Sequence, residues 1–258
     1  MPNTKNTANK EVAATAATKK LGILGGLGPM SSVYFYEMLT RHTDARCDQD
    51  HLEIILSSGA TTPDRTAFIL GQSTESPLPR MQADAHALIT AGAELIAIPC
   101  NTAHYFYDAL AESISVPIIN ILYETVTTLA GIGVQKIGVL ATEGTVASGS
   151  YQHVCRQIGI DCAVPDAADQ AIIQNIIYGQ IKQGKRPDMA AFAEVSAKLT
   201  DAGCTRLVLG CTELSLLVRD EGLGAPYFDS LEALAYRSIL ACGKRPVGFG
   251  PDFAEVPA

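Results

Sequence analysis

The chain has 258 residues, 47% of them hydrophobic, and a formal net charge of −8. That length supports one or two domains with a sizeable core, and the acidic balance argues against a general nucleic-acid-binding face. The seven cysteines are odd in number and widely spaced. Without a C-x-x-C pair or a Cys/His cluster they give no sign of zinc and read as reduced thiols of a cytoplasmic protein.

Residues 1–19 are small, polar and basic, without an apolar core of signal-peptide length, and are expected to form a disordered tail. No run of about eighteen apolar residues follows, so no membrane span is expected. Short apolar runs then alternate with longer helical patterns. "LGILGG" from Leu21, "LEIILSS" from Leu52, "ELIAIPC" from Glu94 and "VPIINI" from Val116 read as strands. "KIGVLAT" from Lys136, "TRLVLGC" from Thr205 and "APYFDS" from Ala225 extend the series. Segments such as "PLPRMQADAHALITAGA" and "MAAFAEVSAKLTDAGC" between them have helical spacing. Continuously apolar strands separated by helices predict parallel sheets covered on both faces, the α/β class.

An internal echo divides the chain. "GILGGLGPMSS" at Gly22 returns as "GVLATEGTVASG" at Gly138, an offset of 116 residues, and Cys100 of "IPCNTAH" returns as Cys211 of "LGCTELS", an offset of 111. The expected architecture is two pseudo-symmetric α/β domains, each a parallel sheet flanked by helices, and if they face each other about a pseudo-twofold axis a cleft lies between them. The first domain is expected over 20–121 and 225–246, with the Tyr227 strand and its helix returning to complete it, and the second over 122–224.

A free cysteine is most often a small buried hydrophobe. Cys100 and Cys211 differ, because each stands at the carboxyl end of a predicted strand, where ligands of open parallel sheets bind, and each precedes a helix start that favours anions. Two thiols facing one cleft suit proton removal from one face of a carbon and delivery to the other, with no call for a pyridoxal lysine or a metal.

Other residues supply a possible binding site. Gly26-x-Gly28-x-x-Ser31 only partly matches a dinucleotide fingerprint and reads better as a tight turn whose amides approach a small anion. Arg65 in "TTPDRTA" is a bidentate partner for a carboxylate, or else a helix-entry ion pair with Asp64. Lys182 and Lys185 in "YGQIKQGKRPD" stand near a helix end, where lysine also serves simply to complement the dipole.

Together "GILGGLGP", "PDRTA", "PCNTAH", "ATEGT" and "LGCTEL" resemble the aspartate/glutamate racemase family, its aspartate racemase branch in particular, from Leu21 to Leu240. The resemblance implies two α/β domains with the active site in the cleft between them, no cofactor and a homodimer, acting on a small anionic amino acid, and the sequence itself shows no metal-ligand cluster. It implies Cys100 and Cys211 as the acid/base pair, Asn101, Thr102 and Thr212 holding the α-carboxylate, and Thr145 lining the site. Arg65 would grip the side-chain carboxylate and Lys182 would add a second cation. Glu213 stands where the glutamate racemase branch tends to have histidine. His104 is either a supporting partner of the site or a helix-surface histidine with a satisfied hydrogen bond. The stretch Ser57 to Thr61 departs from the branch's commoner form and leaves glutamate and neutral amino acids open as substrates. Hydantoin racemisation, maleate isomerisation and non-catalytic amino-acid binding are the alternatives on the same scaffold.

Overall fold

The computed structural model describes residues 18–253. The tail expected over 1–19 lies outside the described residues except for Thr18 and Lys19, and the Lys19 amide donates to the Cys242 carbonyl at 3.2 Å.

In chain order the first half runs β1 (Leu21–Gly25), α1 (Pro29–Arg41), β2 (Ile54–Ser58), α2 (Arg65–Ile69), α3 (Leu78–Thr90), β3 (Leu95–Ala97), α4 (Tyr107–Glu112), β4 (Ile118–Ile119) and α5 (Ile121–Gly131). The second runs β5 (Lys136–Leu140), α6 (Glu143–Ser148), α7 (Ser150–Ile158), β6 (Asp161–Ala163), α8 (Ala167–Gln174), α9 (Met189–Asp201), β7 (Arg206–Leu209), α10 (Ser215–Glu221), β8 (Tyr227–Asp229) and α11 (Ser230–Ala241). The strands form two four-stranded sheets in the orders β2-β1-β3-β4 and β6-β5-β7-β8, every pairing parallel. The identical order is the structural form of the sequence echo.

One expectation about the strands is corrected. The Tyr227 strand does not return to the first sheet, because β8 pairs with β7 in the register Leu207↔Tyr227. The short β7–α10–β8 crossover places β8 beside its predecessor, as parallel units do. Only the helix after it crosses over: α11 packs against α1 and α5. The strand β6 escapes the apolar-run criterion because it is an edge strand with Asp161 exposed and Cys162 and Ala163 only half-buried.

Each sheet has one face on a common core. Leu21 and Ile23 of β1, Val139 of β5, Val208 of β7 and Phe228 of β8 share a single apolar cluster with α1, α5, α7 and α11. The outer faces are covered separately, by α3 and α4 on the first sheet and by α8 and α9 on the second. Two echoing glycines make that outer packing close. A Cβ on Gly22 would lie 2.8 Å from the Ala93 Cβ, and one on Gly138 would lie 2.8 Å from the Leu207 Cδ2. No helix among the described residues is long and apolar enough to cross a membrane.

Candidate active site

The two echoing strands β3 and β7 each deliver a cysteine just past their carboxyl ends. Cys100 is followed by a short 3-10 turn, Thr102–Phe106, and Cys211 by a turn that leads into α10. Both thiols are buried, and both border one small cavity between the halves. Its volume is about 10 Å³, room for about one water molecule. Arg65, Asn101, Thr102, Lys182, Thr212 and Glu213 share its lining. A wider cleft of about 450 Å³ adjoins it, with Arg65, Lys182 and Glu213 on both walls. A surface groove of about 580 Å³ beside His153 and Arg156 is larger still but contains neither thiol.

Arg65, the first residue of α2, is 8% exposed and held by backbone carbonyls. Its Nη1 donates to Pro63 at 3.1 Å and its Nη2 to Leu27 at 2.9 Å, while its Nε has no partner. No Arg65–Asp64 ion pair forms, because Asp64 caps α2 through the Ala67 amide at 2.8 Å and accepts from the Tyr178 hydroxyl at 2.9 Å. Burial works against the guanidinium charge, but the neighbouring Cys100 sulfur, Asp64 and Tyr178 outweigh it and raise its pKa. A buried cation with one donor unengaged is suited to an anion.

Lys182 comes from the second half, in a 3-10 turn over Ile181–Gln183, and its Nζ meets Glu213 Oε1 at 2.6 Å. Burial opposes its charge, but Glu213 and then Cys211 and Cys100 more than compensate, so its pKa is raised. Glu213 Oε2 accepts from Cys211 Sγ at 3.0 Å. Burial, reinforced by the Glu213 carboxylate and opposed by Lys182, pushes the Cys211 thiol well above its ordinary range.

The polar residues beside the thiols are already engaged. The Asn101 amide donates to Ser230 Oγ at 3.0 Å and accepts from the Tyr151 hydroxyl at 2.7 Å. Thr212 Oγ1 donates to the Pro99 carbonyl at 3.1 Å, tying the second thiol's loop to the first's. Thr102 Oγ1 lies 3.0 Å from Thr142 Oγ1 and 2.9 Å from Thr145 Oγ1, and the last two are 3.1 Å apart. This ring of hydroxyls joins the halves. Thr142 borders the cavity and caps α6, whereas Thr145 stands one step behind it.

Two sequence expectations change. Gly26 borders the wider cleft rather than the thiol cavity, and its amide is not offered to an anion because it donates to Ser32 Oγ at 2.9 Å. His104 is not a helix-surface residue: it is 5% exposed. Its Nε2 accepts from the Ile121 amide at 3.2 Å, which places the ring proton on Nδ1, 2.9 Å from the Cys100 carbonyl. Burial, against the pull of the Cys100 and Ile119 carbonyls, lowers its pKa to about 4. It therefore fixes the Cys100 backbone as a neutral ring. Lys185 borders neither the thiol cavity nor the wider cleft; it lines a separate surface hollow beside Arg219.

Thr142, Thr66 and Tyr178 were not anticipated as lining residues. Thr142 had a legible signal, a threonine directly before a helical start in "ATEGT". Tyr178 had none, since only the tertiary fold brings it to Asp64. Among the described residues no group of three His, Cys, Asp or Glu side chains could hold a metal ion.

Comparison with known proteins identifies the family. Residues 24–237 match the model of the Asp/Glu/Hydantoin racemase family. The solved Picrophilus torridus aspartate racemase is 30% identical, with TM-score 0.74 over 89% of this chain and 96% of that one. An aspartate racemase homologue from Pyrococcus horikoshii is 26% identical, with TM-score 0.70 over 87% of this chain and 99% of that one. The broad specificity amino-acid racemase RacX of Bacillus subtilis is 27% identical over 85% of this chain and 96% of its own. A parallel pair of four-stranded sheets, a thiol at the equivalent strand tip of each, and a family match across most of the length lead to one assignment: the chain belongs to the Asp/Glu/Hydantoin racemase family.

Proposed function

We propose that this chain interconverts L- and D-aspartate without a cofactor, with Cys100 and Cys211 as the proton-transfer pair. The observation that carries the reading is the single buried cavity bordered by both thiols and by Arg65, whose Nε lacks a partner. One sulfur, as thiolate, takes the α-proton from one face of the substrate. The other, as thiol, returns its own proton to the opposite face. The product leaves with its configuration inverted and the two sulfurs with their protonation exchanged.

The negative charge that develops on the α-carbon spreads into the α-carboxylate. The Thr102 and Thr142 hydroxyls and the turn amides after Cys100 and Cys211 would stabilise it, with Thr212 and Asn101 fixing those turns. Arg65 receives the side-chain carboxylate, and Lys182 is the second cation of the lining. Closure of the halves excludes water and strengthens these interactions.

A second reading is racemisation of glutamate or of neutral amino acids, in the manner of the broad-specificity relative. Its neutral amino-acid form is favoured by the pairing of Lys182 with Glu213, because a lining with Arg65 as its cation without a carboxylate partner suits a substrate with a single carboxylate. Incubation of each enantiomer of aspartate, glutamate and alanine in D2O, followed by proton NMR and chiral chromatography, separates the readings. Aspartate should exchange its α-proton and racemise fastest. Absence of exchange for every amino acid would reject proton-transfer catalysis, and equal rates for all three would reject aspartate selectivity.

A further inference from the structure

The two halves repeat each other, yet the residue two places after each thiol differs: Thr102 after Cys100, Glu213 after Cys211. We infer that Glu213 is the positioning residue that keeps the proton on Cys211, so that Cys211 enters the cycle as the acid and Cys100 as the base. The inference rests on the proposed two-thiol reading.

The contacts are specific. Glu213 Oε2 faces Cys211 Sγ at 3.0 Å while Lys182 holds Oε1 at 2.6 Å, so the carboxylate is anchored from one side and offered to the thiol on the other. Its side chain is 7% exposed, and Oε1 also faces the backbone of Gly28 closely enough that no larger residue fits there. Around Cys211 the other ionisable groups are Lys182 and Tyr178 from the 175–183 segment, Arg65 from α2, and Cys100. Cys100 has the opposite company: the Arg65 guanidinium is its charged neighbour, and the +2 side chain is a neutral hydroxyl. A sulfur beside a carboxylate retains its proton, and Cys100 has no carboxylate in the corresponding place. An exact repeat would offer two identical thiols and no preferred starting proton. Glu213 breaks that degeneracy.

Reaction of the full chain with iodoacetamide, followed by peptide mass spectrometry, reads this without turnover. The two thiols are similarly buried, at 6% and 5% exposure, so access alone predicts equal labelling. The expected result is labelling of Cys100 at least about tenfold faster than of Cys211, equivalent to one pH unit of thiolate population. Glu213→Gln keeps the shape and removes the charge, leaving Lys182 beside Cys211. It should raise Cys211 labelling about tenfold and move the alkaline limb of the kcat/KM profile about one pH unit lower. Lys182→Met should act in the opposite sense, slowing Cys211 labelling. It keeps the test open if Glu213→Gln folds poorly. Equal labelling of the two thiols in the wild type would overturn the inference. So would a Glu213→Gln protein of low activity whose labelling pattern and alkaline limb are unchanged, since that is the signature of packing alone. The predicted labelling without racemisation would retain the role of Glu213 and reject the racemase reading instead.

Discussion

Gly144 and Thr66 touch across the join between the two halves: a Cβ on Gly144 would lie 2.8 Å from both Cα and Oγ1 of Thr66. Gly144 belongs to α6 and Thr66 to α2, and Thr66 borders the thiol cavity. Gly144→Ala should therefore hold the lips of the cleft apart. Alanine favours the helix by about 1 kcal/mol over glycine, so thermal stability should not fall through α6 itself. The expected outcome is a loss of kcat/KM of about tenfold or more with Tm nearly unchanged, and a larger radius of gyration by small-angle scattering. Wild-type kcat/KM in Gly144→Ala would mean that this contact is not part of the working geometry.

The thiols are expected to act as a unit. Cys100→Ser and Cys211→Ser should each lose most racemisation, because turnover needs an acid and a base together. The double variant should be little worse than either single one. Each single variant can still exchange the α-proton of one enantiomer without inverting it, which deuterium incorporation measured by NMR would detect. Near-wild-type racemisation by either single variant would refute the two-base scheme.

Arg65 gives a test of substrate charge. Arg65→Lys keeps the charge and loses the planar fork that Leu27 and Pro63 hold in place. Arg65→Ala loses both. Graded losses in kcat/KM for aspartate are expected, with alanine costing about 3 kcal/mol, a hundredfold or more, for a desolvated pair. Neutral amino acids should be poor substrates of the wild type and lose much less. Equal losses for charged and neutral substrates would place Arg65 in the fold or at the α-carboxylate.

His104 should make stability depend on pH in a defined window. Its folded pKa of about 4 lies below the ordinary 6.5, so between those values the unfolded chain binds a proton that the folded chain refuses. Stability from this group is complete above about 6.5 and is lost as pH falls towards about 4, by about 3 kcal/mol in all. Asp229 and Glu232, raised by burial to about 6 and about 7, act in the opposite direction. The difference between the wild type and His104→Gln in urea unfolding at several pH values cancels their share. A difference that stays flat from pH 7 to pH 4 would contradict a buried neutral imidazole.

Much of this was legible in the sequence for a physical reason. The runs from Leu21, Lys136 and Thr205 become β1, β5 and β7, strands covered on both faces, where continuous apolar character is required. The thiols were legible because the echo at Cys100 and Cys211 marks equivalent strand ends. What escaped depends on tertiary placement. The partner of Lys182 is Glu213, 31 residues away, and no local pattern connects them. Asn101 looks available in "PCNTAH" until Tyr151 and Ser230 are brought to it from 50 and 129 residues away. The sheet that the Tyr227 strand joins is not legible, because a short apolar strand carries no mark of its neighbours.

The common core of α1, α5, α7 and α11 also limits how the molecule can move and melt. Leu21 of the first sheet and Val139 and Val208 of the second drain into the same apolar layer, so the two halves share the inner part of their cores although each keeps an outer cluster of its own. Separating the halves as independent bodies would expose that layer to water, whereas widening the gap at the thiols would not. The molecule should consequently work like a clothes-peg, sprung at the helical layer and opening only at the jaws. In calorimetry it should lose both sheets in one cooperative transition, its van't Hoff and calorimetric enthalpies in agreement.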